Sequence, residues 1–90
     1  MAVYVDELKN YQKNVAGHGS IWCHLFSDDV EELHAFAGCL GLKRSWLQNR
    51  PRFPHYDLVP SKRALAVKKG AVQVTRDEMV NLMHKFNQAR

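Results

Sequence analysis

The sequence lacks the features of a membrane protein or a secreted protein. No apolar run approaches the roughly 18 residues that a membrane-spanning helix requires, and residues 1–6 have neither the basic start nor the long apolar stretch of a signal peptide. The two cysteines, Cys23 and Cys39, are too few for a disulfide framework and belong to no paired-cysteine motif. We therefore expect a cytoplasmic protein with reduced thiols and no membrane partner.

The motifs that usually bind metal ions are missing as well. The chain contains no H-E-x-x-H, no paired-cysteine spacing and no cluster of carboxylates. A metal site would have to use His24, His55 and Asp57, whose spacing matches none of these motifs. We therefore expect no metal ion and no other cofactor, and a domain whose apolar core folds it without a structural ion.

What is present is typical of a small globular domain. At 90 residues the chain is expected to form one domain over residues 1–90, because a second hydrophobic core would not fit. Hydrophobic residues make up 46% and charged residues 24% of the chain, a balance that argues against disorder. The net charge of +4 favours acidic partners such as nucleotides, nucleic acid or acidic protein surfaces.

Hydrophobic periodicity predicts strands and helices in alternation. Strands are predicted over residues 2–5 and 21–26, around His55–Asp57, and over 71–75; helices are predicted from 28 to 40, from 61 to 69, and after 75. The order β-β-α-β-α-β-α contains two strand–helix–strand crossovers. It predicts an α/β fold, a single compact domain with a mixed sheet of about four strands and helices packed on it.

The helix ends carry their own signals. Asp28, three residues before Glu31, is predicted to begin the first helix in the manner of a capping box. Gly41 is predicted to end that helix in a left-handed conformation, and Gly70 to end the second helix. Thr75 and Glu78 predict a capping box for the third helix.

Residues 53–64 read as a short strand that runs directly into a helix. Ser61 is the predicted N-cap, which places Lys62 and Arg63 in the first turn, where the helix dipole disfavours cations. A bound anion would resolve this conflict. Alternatively, both cations extend into water, or Arg63 pairs with Asp57 inside the fold and leaves no anion site.

Short motifs along nearly the whole chain occur in the order and spacing of a known family. They are Val3-Tyr4-Val5-Asp6, His18-Gly19, His24-Leu25, Ser27-Asp28, Glu32-Leu33-His34, Phe36-Ala37, His55-Tyr56-Asp57 and Gly70-Ala71. In this set the chain resembles the family catalogued as domain of unknown function 4031, small proteins of bacteria and their phages. The departures lie in residues 7–16 and 43–53. The resemblance implies a shared fold and a polar site, without an established activity.

Ionisable residues are expected to gather where the predicted strands end, the usual place for ligands in open α/β sheets. The candidate catalytic residues are His24, His55 and Asp57, and the candidate ligand-binding residues are Asp6, His18, Tyr56, Lys62 and Arg63. Histidine suits proton transfer because it titrates near neutral pH. His34, on the edge of a helical apolar stripe, is expected to be structural.

Three functions are consistent with these residues. The first is a binding domain for an anionic ligand, a nucleotide or phosphate-bearing molecule, in which Lys62 and Arg63 meet the phosphate and Tyr56 or Trp46 stacks on a base. The second is a phosphoester hydrolase or nuclease-like enzyme, in which a histidine oriented by Asp6 or Asp57 is the general acid or base. The third is a protein-interaction module, such as a phage inhibitor of a host protein, which needs no catalytic residue.

Overall fold

A computed structural model describes residues 2–10, 21–50 and 53–88 of the chain. These ranges contain the predicted order of strands and helices, with two short strands in addition. The strands are β1 (Val3–Val5), β2 (Lys9–Asn10), β3 (Ile21–Ser27), β4 (Gln48–Arg50), β5 (Phe53–Leu58) and β6 (Val72–Gln73). The helices are α1 (Val30–Cys39), α2 (Pro60–Lys68) and α3 (Arg76–Gln88), and a 3₁₀ turn, Arg44–Trp46, precedes β4.

The strands form a mixed sheet, as the sequence predicts. Their spatial order is β4-β5-β3-β1-β6, and β2 pairs with β3. β1 and β6 run parallel, whereas the other pairs among the described strands are antiparallel. β1 and β5 therefore run in the same direction with β3 between them. Their carboxyl ends lie at one edge of the sheet, although the two strands are not neighbours.

Helices pack on both faces of the sheet because β3 is apolar on both sides, as predicted. On one face, Leu25 and its neighbours pack against α1 and α2; the buried members are Val3, Val5, Cys23, Leu25, Leu33, Ala37, Leu40, Tyr56, Leu58, Ala66 and Ala71. On the other face, α3 packs against Phe26; the buried members are Phe26, Val74, Met79 and Met83. The alternation of β3 thus divides the core into two layers.

The C-terminus of α1 confirms the prediction for Gly41. This glycine has φ +81°, its N–H donates to the Gly38 carbonyl at 3.0 Å, and Leu42 N–H donates to the Ala37 carbonyl at 3.0 Å. This pair of bonds is a Schellman motif. At the N-terminus the prediction is one residue off, because Asp29 rather than Asp28 is the N-cap and accepts from the N–H groups of Glu31 and Glu32.

The predicted N-cap of α2 is wrong. The helix begins at Pro60, its N-cap is Val59, and no side chain caps it. Proline has the φ angle of a first helical residue and no N–H to satisfy, so it starts the helix without a capping side chain. The N–H of Arg63 consequently donates within the helix, to the Val59 carbonyl at 3.0 Å. It is therefore not one of the N–H groups left open for an anion.

The remaining helix ends match their predictions. Gly70 ends α2 with φ +108°. At the start of α3, Glu78 N–H donates to Thr75 Oγ1 at 3.1 Å, and Thr75 N–H donates to Glu78 Oε1 at 2.8 Å, which forms the capping box. Within the described ranges, no helix combines the length and the apolar character needed to cross a membrane.

Candidate functional site

The three predicted catalytic residues lie together on one face of the sheet. The antiparallel register of β3 and β5 places His24 opposite Asp57 and Phe26 opposite His55. Opposite residues share a face, and so do residues two apart on a strand. One ring nitrogen from each histidine and one oxygen of Asp57 lie within 4.8 Å of one another. We refer to His24, His55 and Asp57 as the His/Asp cluster.

Asp6 holds His24 in place from the end of β1. The buried Asp6 carboxylate accepts the backbone N–H of His24 on Oδ1 at 2.6 Å and lies 2.8 Å from the ring Nδ1 through Oδ2. An ionised carboxylate can only accept a hydrogen bond, so Nδ1 carries the proton. The lone pair of the neutral ring is then on Nε2. Asp6 thus sets both the orientation and the tautomer of His24.

A backbone carbonyl holds His55 in the same way. Nδ1 of His55 donates to the Phe53 carbonyl oxygen at 2.8 Å, which leaves the lone pair of the neutral ring on Nε2. This Nε2 lies 3.3 Å from Oδ1 of Asp57. The His55 side chain is 7% exposed and the Asp57 side chain 39% exposed. Asp57 therefore forms the solvent side of the cluster.

Aromatic rings enclose the histidines from one side. The Phe53 ring stacks on the His55 ring, with centroids 4.4 Å apart and planes 21° apart, and lies 5.2 Å from the His24 ring. Phe26 contacts Phe53 edge-on at 5.9 Å. The two histidine rings are themselves 5.0 Å apart. These contacts restrict both imidazoles and reduce the solvent around them.

Tyr56 does not join the cluster, although the sequence suggested it as a ligand-binding residue. It lies between His55 and Asp57 in β5 and points to the opposite face, where it is 1% exposed. Its hydroxyl lies 2.6 Å from Nδ1 of His34. Burial raises the pKa of Tyr56, and Arg44 opposes the rise. His34 thus contacts a buried core residue, and its structural role stays a prediction.

Lys62 and Arg63 both bind backbone carbonyls. Lys62 Nζ donates to the Leu40 carbonyl at 2.6 Å, at the C-terminus of α1. Arg63 Nε donates to the Asp6 carbonyl at 2.9 Å. Arg63 therefore approaches the end of β1, and the predicted pairing with Asp57 is not the contact it makes here. Neither cation joins the His/Asp cluster.

Two further predicted residues lie apart from the cluster or outside the described ranges. His18 falls within residues 11–20, which the structure does not describe. Trp46, suggested as a base-stacking residue, is 51% exposed, and Lys43 Nζ lies 5.7 Å from its ring centroid. Phe53 was not among the site residues predicted from the sequence, although alternation along β5 places it on the same face as His55.

A cavity of about 180 Å³ lies beside Asp6, and no residue of the cluster lines it. Its walls combine two carboxylates, two cations and one apolar side chain: Asp6, Glu7, Leu8, Lys9 and Arg76. The backbone N–H of Arg76 donates to Glu7 Oε1 at 3.0 Å, which joins the start of α3 to the segment after β1. The cavity therefore has positive and negative groups at Asp6, the residue that orients His24.

Cys23 precedes His24 in β3 and is buried on the face of the sheet opposite the cluster. Burial raises the pKa of this thiol from 9.0 to about 12; the Asp6 carboxylate adds to the rise, and the positive charge of Arg63 opposes it. Cys23 is thus a neutral, buried group at neutral pH, as the sequence suggests. Cys39 is exposed.

The chain matches a family model over nearly its whole length. Residues 3–86 align with the family described as "Protein of unknown function (DUF4031)". The chain belongs to the DUF4031 family. The match contains all the residues of the cluster together with Asp6, and it confirms the resemblance seen in the sequence motifs. No curated protein and no solved structure matches this DUF4031 chain.

Proposed function

We propose that this DUF4031 protein binds a divalent transition-metal ion through the His/Asp cluster and hydrolyses a phosphate ester there. The observation that carries the proposal is the convergence of His24, His55 and Asp57 to within 4.8 Å. Two histidines and one carboxylate are a ligand set of catalytic zinc sites, and imidazole nitrogen suits Zn²⁺ among the divalent metals. This proposal replaces the sequence-based expectation of a site without a metal ion.

The protonation of the two rings supports metal binding. Each ring has its Nδ1 directed at an acceptor, the carboxylate of Asp6 or the carbonyl of Phe53, so Nε2 is the ligand atom of the neutral ring. Histidines that bind metal ions usually donate their other N–H to a carboxylate or a carbonyl in this way. The arrangement positions the ligands before an ion arrives.

The contact between His55 and Asp57 supplies two ligand atoms at one point. Nε2 of His55 and Oδ1 of Asp57 are 3.3 Å apart, so a proton or a metal ion can lie between them. Binding of a metal ion there would displace the proton, because a ligand histidine must be neutral. Ligand atoms 2.0–2.1 Å from a tetrahedral Zn²⁺ are roughly 3.3 Å apart. The farthest pair of the cluster, at 4.8 Å, must close by roughly 1.5 Å on binding.

Three protein ligands suit a catalytic ion rather than a structural one, because a four-coordinate Zn²⁺ then retains a position for water. A metal ion in such a site lowers the pKa of its water towards 7 and polarises a phosphoryl oxygen. In the hydrolysis, the water oxygen bonds to phosphorus and the phosphorus–oxygen bond to the alcohol breaks. The alcohol leaves with the bonding electron pair and takes up a proton.

An anionic substrate is supported by the charge of the chain rather than by the start of α2. The net charge is +4, and Lys9 and Arg76 line the cavity beside Asp6 together with the carboxylates of Asp6 and Glu7. Nucleotides and nucleic acid, the partners suggested by the sequence, belong to this substrate class. The cytoplasmic location suggested by the sequence is consistent with such substrates and stays a prediction.

The test combines metal binding with hydrolysis. Metal-free protein is titrated with Zn²⁺ against a chromogenic chelator, and hydrolysis of bis(p-nitrophenyl) phosphate is followed with and without the metal. We expect one equivalent of Zn²⁺ to bind and hydrolysis to require it. His55→Gln and Asp57→Asn should lose both, whereas the control His84→Gln, at an exposed position of α3, should retain both.

Each contrary result has a distinct meaning. Hydrolysis that persists in a strong chelator but disappears in His24→Gln would indicate acid–base catalysis without a metal, the second function considered from the sequence. Metal binding without hydrolysis of any phosphate ester would contradict the enzymatic part alone. Loss of neither property in the cluster variants would overturn the proposal and leave the interaction module.

A further inference from the structure

Arg63 connects helix α2 to the residue that orients His24. Its Nε donates to the Asp6 carbonyl oxygen at 2.9 Å, a contact between residues 57 positions apart in the sequence. Asp6 lies just beyond the last paired residue of β1, where the chain leaves the sheet. The contact therefore supports the backbone at the point from which the Asp6 carboxylate reaches His24.

The neighbouring backbone groups form hydrogen bonds to residues in β3 and just after β6. The Asp6 N–H donates to the His24 carbonyl at 3.3 Å, and the carbonyl of the preceding Val5 accepts from Val74 N–H at 2.9 Å. Arg63 supplies the bond to the Asp6 carbonyl. Rotation of the peptide that follows Asp6 would break this bond and move the Asp6 backbone. Because that backbone carries the carboxylate, such a movement changes its contacts with the Nδ1 and N–H of His24.

Arg63 also influences the residue that precedes His24. The charge of Arg63 lies close enough to the buried thiol of Cys23, which precedes His24 in β3, to lower the pKa of that thiol against the effect of burial. Cys23 is completely buried on the face of the sheet opposite the His/Asp cluster. Arg63 thus binds the chain at the end of β1 and places its charge near β3, on the side of the sheet opposite the cluster.

We infer that Arg63 is a positioning residue for the metal site. It acts through Asp6, whose placement sets the ring orientation and the tautomer of His24, and touches neither metal nor substrate. The inference rests on the proposed metal site and deepens it. It also gives Arg63 a role different from the anion contact suggested by the sequence.

Lys62 provides a matched control on the same helix. It is the neighbour of Arg63, is also half-buried, and also donates to a backbone carbonyl, that of Leu40 at 2.6 Å. Its contact stabilises the end of α1 and has no connection to Asp6 or His24. Loss of either side chain removes one cation and one hydrogen bond to a carbonyl. A purely structural effect should therefore be similar in the two variants.

The experiment compares Arg63→Met, Arg63→Lys and Lys62→Met with the parent protein. Zn²⁺ affinity is measured by competition with a chromogenic chelator, and the visible spectrum of the Co²⁺-substituted protein reports the ligand geometry. We expect Arg63→Met to weaken Zn²⁺ binding about 10- to 100-fold, as for other residues that support a metal ligand. The Co²⁺ spectrum should change as well. Arg63→Lys should recover part of the affinity, and Lys62→Met should stay within about 3-fold of the parent.

A measurement without metal separates this inference from the proposed function. The ¹⁵N shifts of the His24 ring in the metal-free protein report which nitrogen carries the proton. We expect the Nδ1–H form in the parent and in Lys62→Met, and a mixture of tautomers in Arg63→Met. Should Arg63→Met fail to fold, as judged by circular dichroism, Arg63→Lys supplies the same comparison.

Two results would overturn the inference while leaving the metal site intact. One is a Zn²⁺ affinity in Arg63→Met equal to that of the parent. The other is an equal loss in Arg63→Met and Lys62→Met, which would make the role of Arg63 structural. If the parent binds no Zn²⁺ but its His24 tautomer still depends on Arg63, the proposed function fails while the positioning of His24 by Arg63 stands.

Discussion

His55 and Asp57 lie on the same face of β5, with Nε2 of one 3.3 Å from Oδ1 of the other. Residues two apart on a strand share a face, and here His24 on the neighbouring strand completes the cluster. All three side chains are therefore carried by two hydrogen-bonded strands. A site built on paired strands is positioned more precisely than one built on loops.

The first prediction concerns Asp6. Asp6→Asn replaces an acceptor-only carboxylate by an amide, which no longer requires the proton of His24 to be on Nδ1. We expect Zn²⁺ affinity to fall about 10- to 100-fold without being abolished. Competition titration measures the change. Unchanged affinity would show that Asp6 supports the fold rather than the metal ligand.

The second prediction concerns folding without metal. The apolar layers on both faces of the sheet do not depend on the cluster, so chelator-treated protein should retain its circular dichroism spectrum and unfold cooperatively. Zn²⁺ at 100 times its Kd should then stabilise the folded state by about 2.7 kcal/mol. For a domain of this size, 1 kcal/mol corresponds to roughly 4–8 °C in Tm. A metal-free protein without a cooperative transition would contradict this expectation.

The third prediction tests the helix phase of α1. Leu33 is completely buried in the layer between α1 and the sheet. Leu33→Ala should lower the free energy of unfolding by about 2–5 kcal/mol, because a core leucine leaves a cavity. Val80→Ala, at a position that is 43% exposed on α3, is the control and should change it by about 0.5 kcal/mol or less. Urea unfolding curves measure both variants.

The fourth prediction separates two roles of Arg63. Because its Nε binds the Asp6 carbonyl, Arg63→Ala should destabilise the ligand-free protein, by about 1 kcal/mol after allowance for partial exposure. Phosphate should raise the Tm of the metal-free parent only slightly. It should raise the Tm of the metal-free variant by the same small amount. If phosphate instead stabilises the parent strongly and the variant not at all, the start of α2 is an anion site after all.

The fifth prediction concerns the two thiols. Cys39 is exposed, whereas Cys23 is buried and has a pKa of about 12. The thiolate is the reactive form, so at pH 8 iodoacetamide should modify Cys39 and leave Cys23 intact. Mass spectrometry of the labelled protein identifies the site. At higher pH the folded state keeps the Cys23 proton that the unfolded state loses, so this thiol makes stability fall between about pH 9 and about pH 12.

Local patterns in the sequence predicted the fold well. Gly41 and the Thr75–Glu78 capping box are confirmed because their contacts lie within a few residues of one another. The cap of α2 was wrong because the serine signal at Ser61 competed with Pro60, which starts a helix by its own geometry. Local capping rules thus give the wrong helix start where two signals fall in the same turn.

The site was predictable only in part. The candidates His24, His55 and Asp57 followed from the strands, but their convergence depends on the register of β3 and β5, which the sequence does not specify by spacing. The contacts of Lys62 and Arg63 join residues 22 and 57 positions apart, so no local pattern reveals them. The sequence contains no linear metal-binding motif because the proposed ligands lie on two different strands.

The register of β3 has a consequence for folding errors. A shift of β3 by one residue against its neighbours would turn His24 to the face covered by α1 and α2 and bring Cys23 or Leu25 to its position. The proposed ligand set of His24, His55 and Asp57 therefore exists only in the observed register, and a metal ion bound by all three would stabilise that register. Metal binding and the correct alignment of β3 would then stabilise each other in this domain.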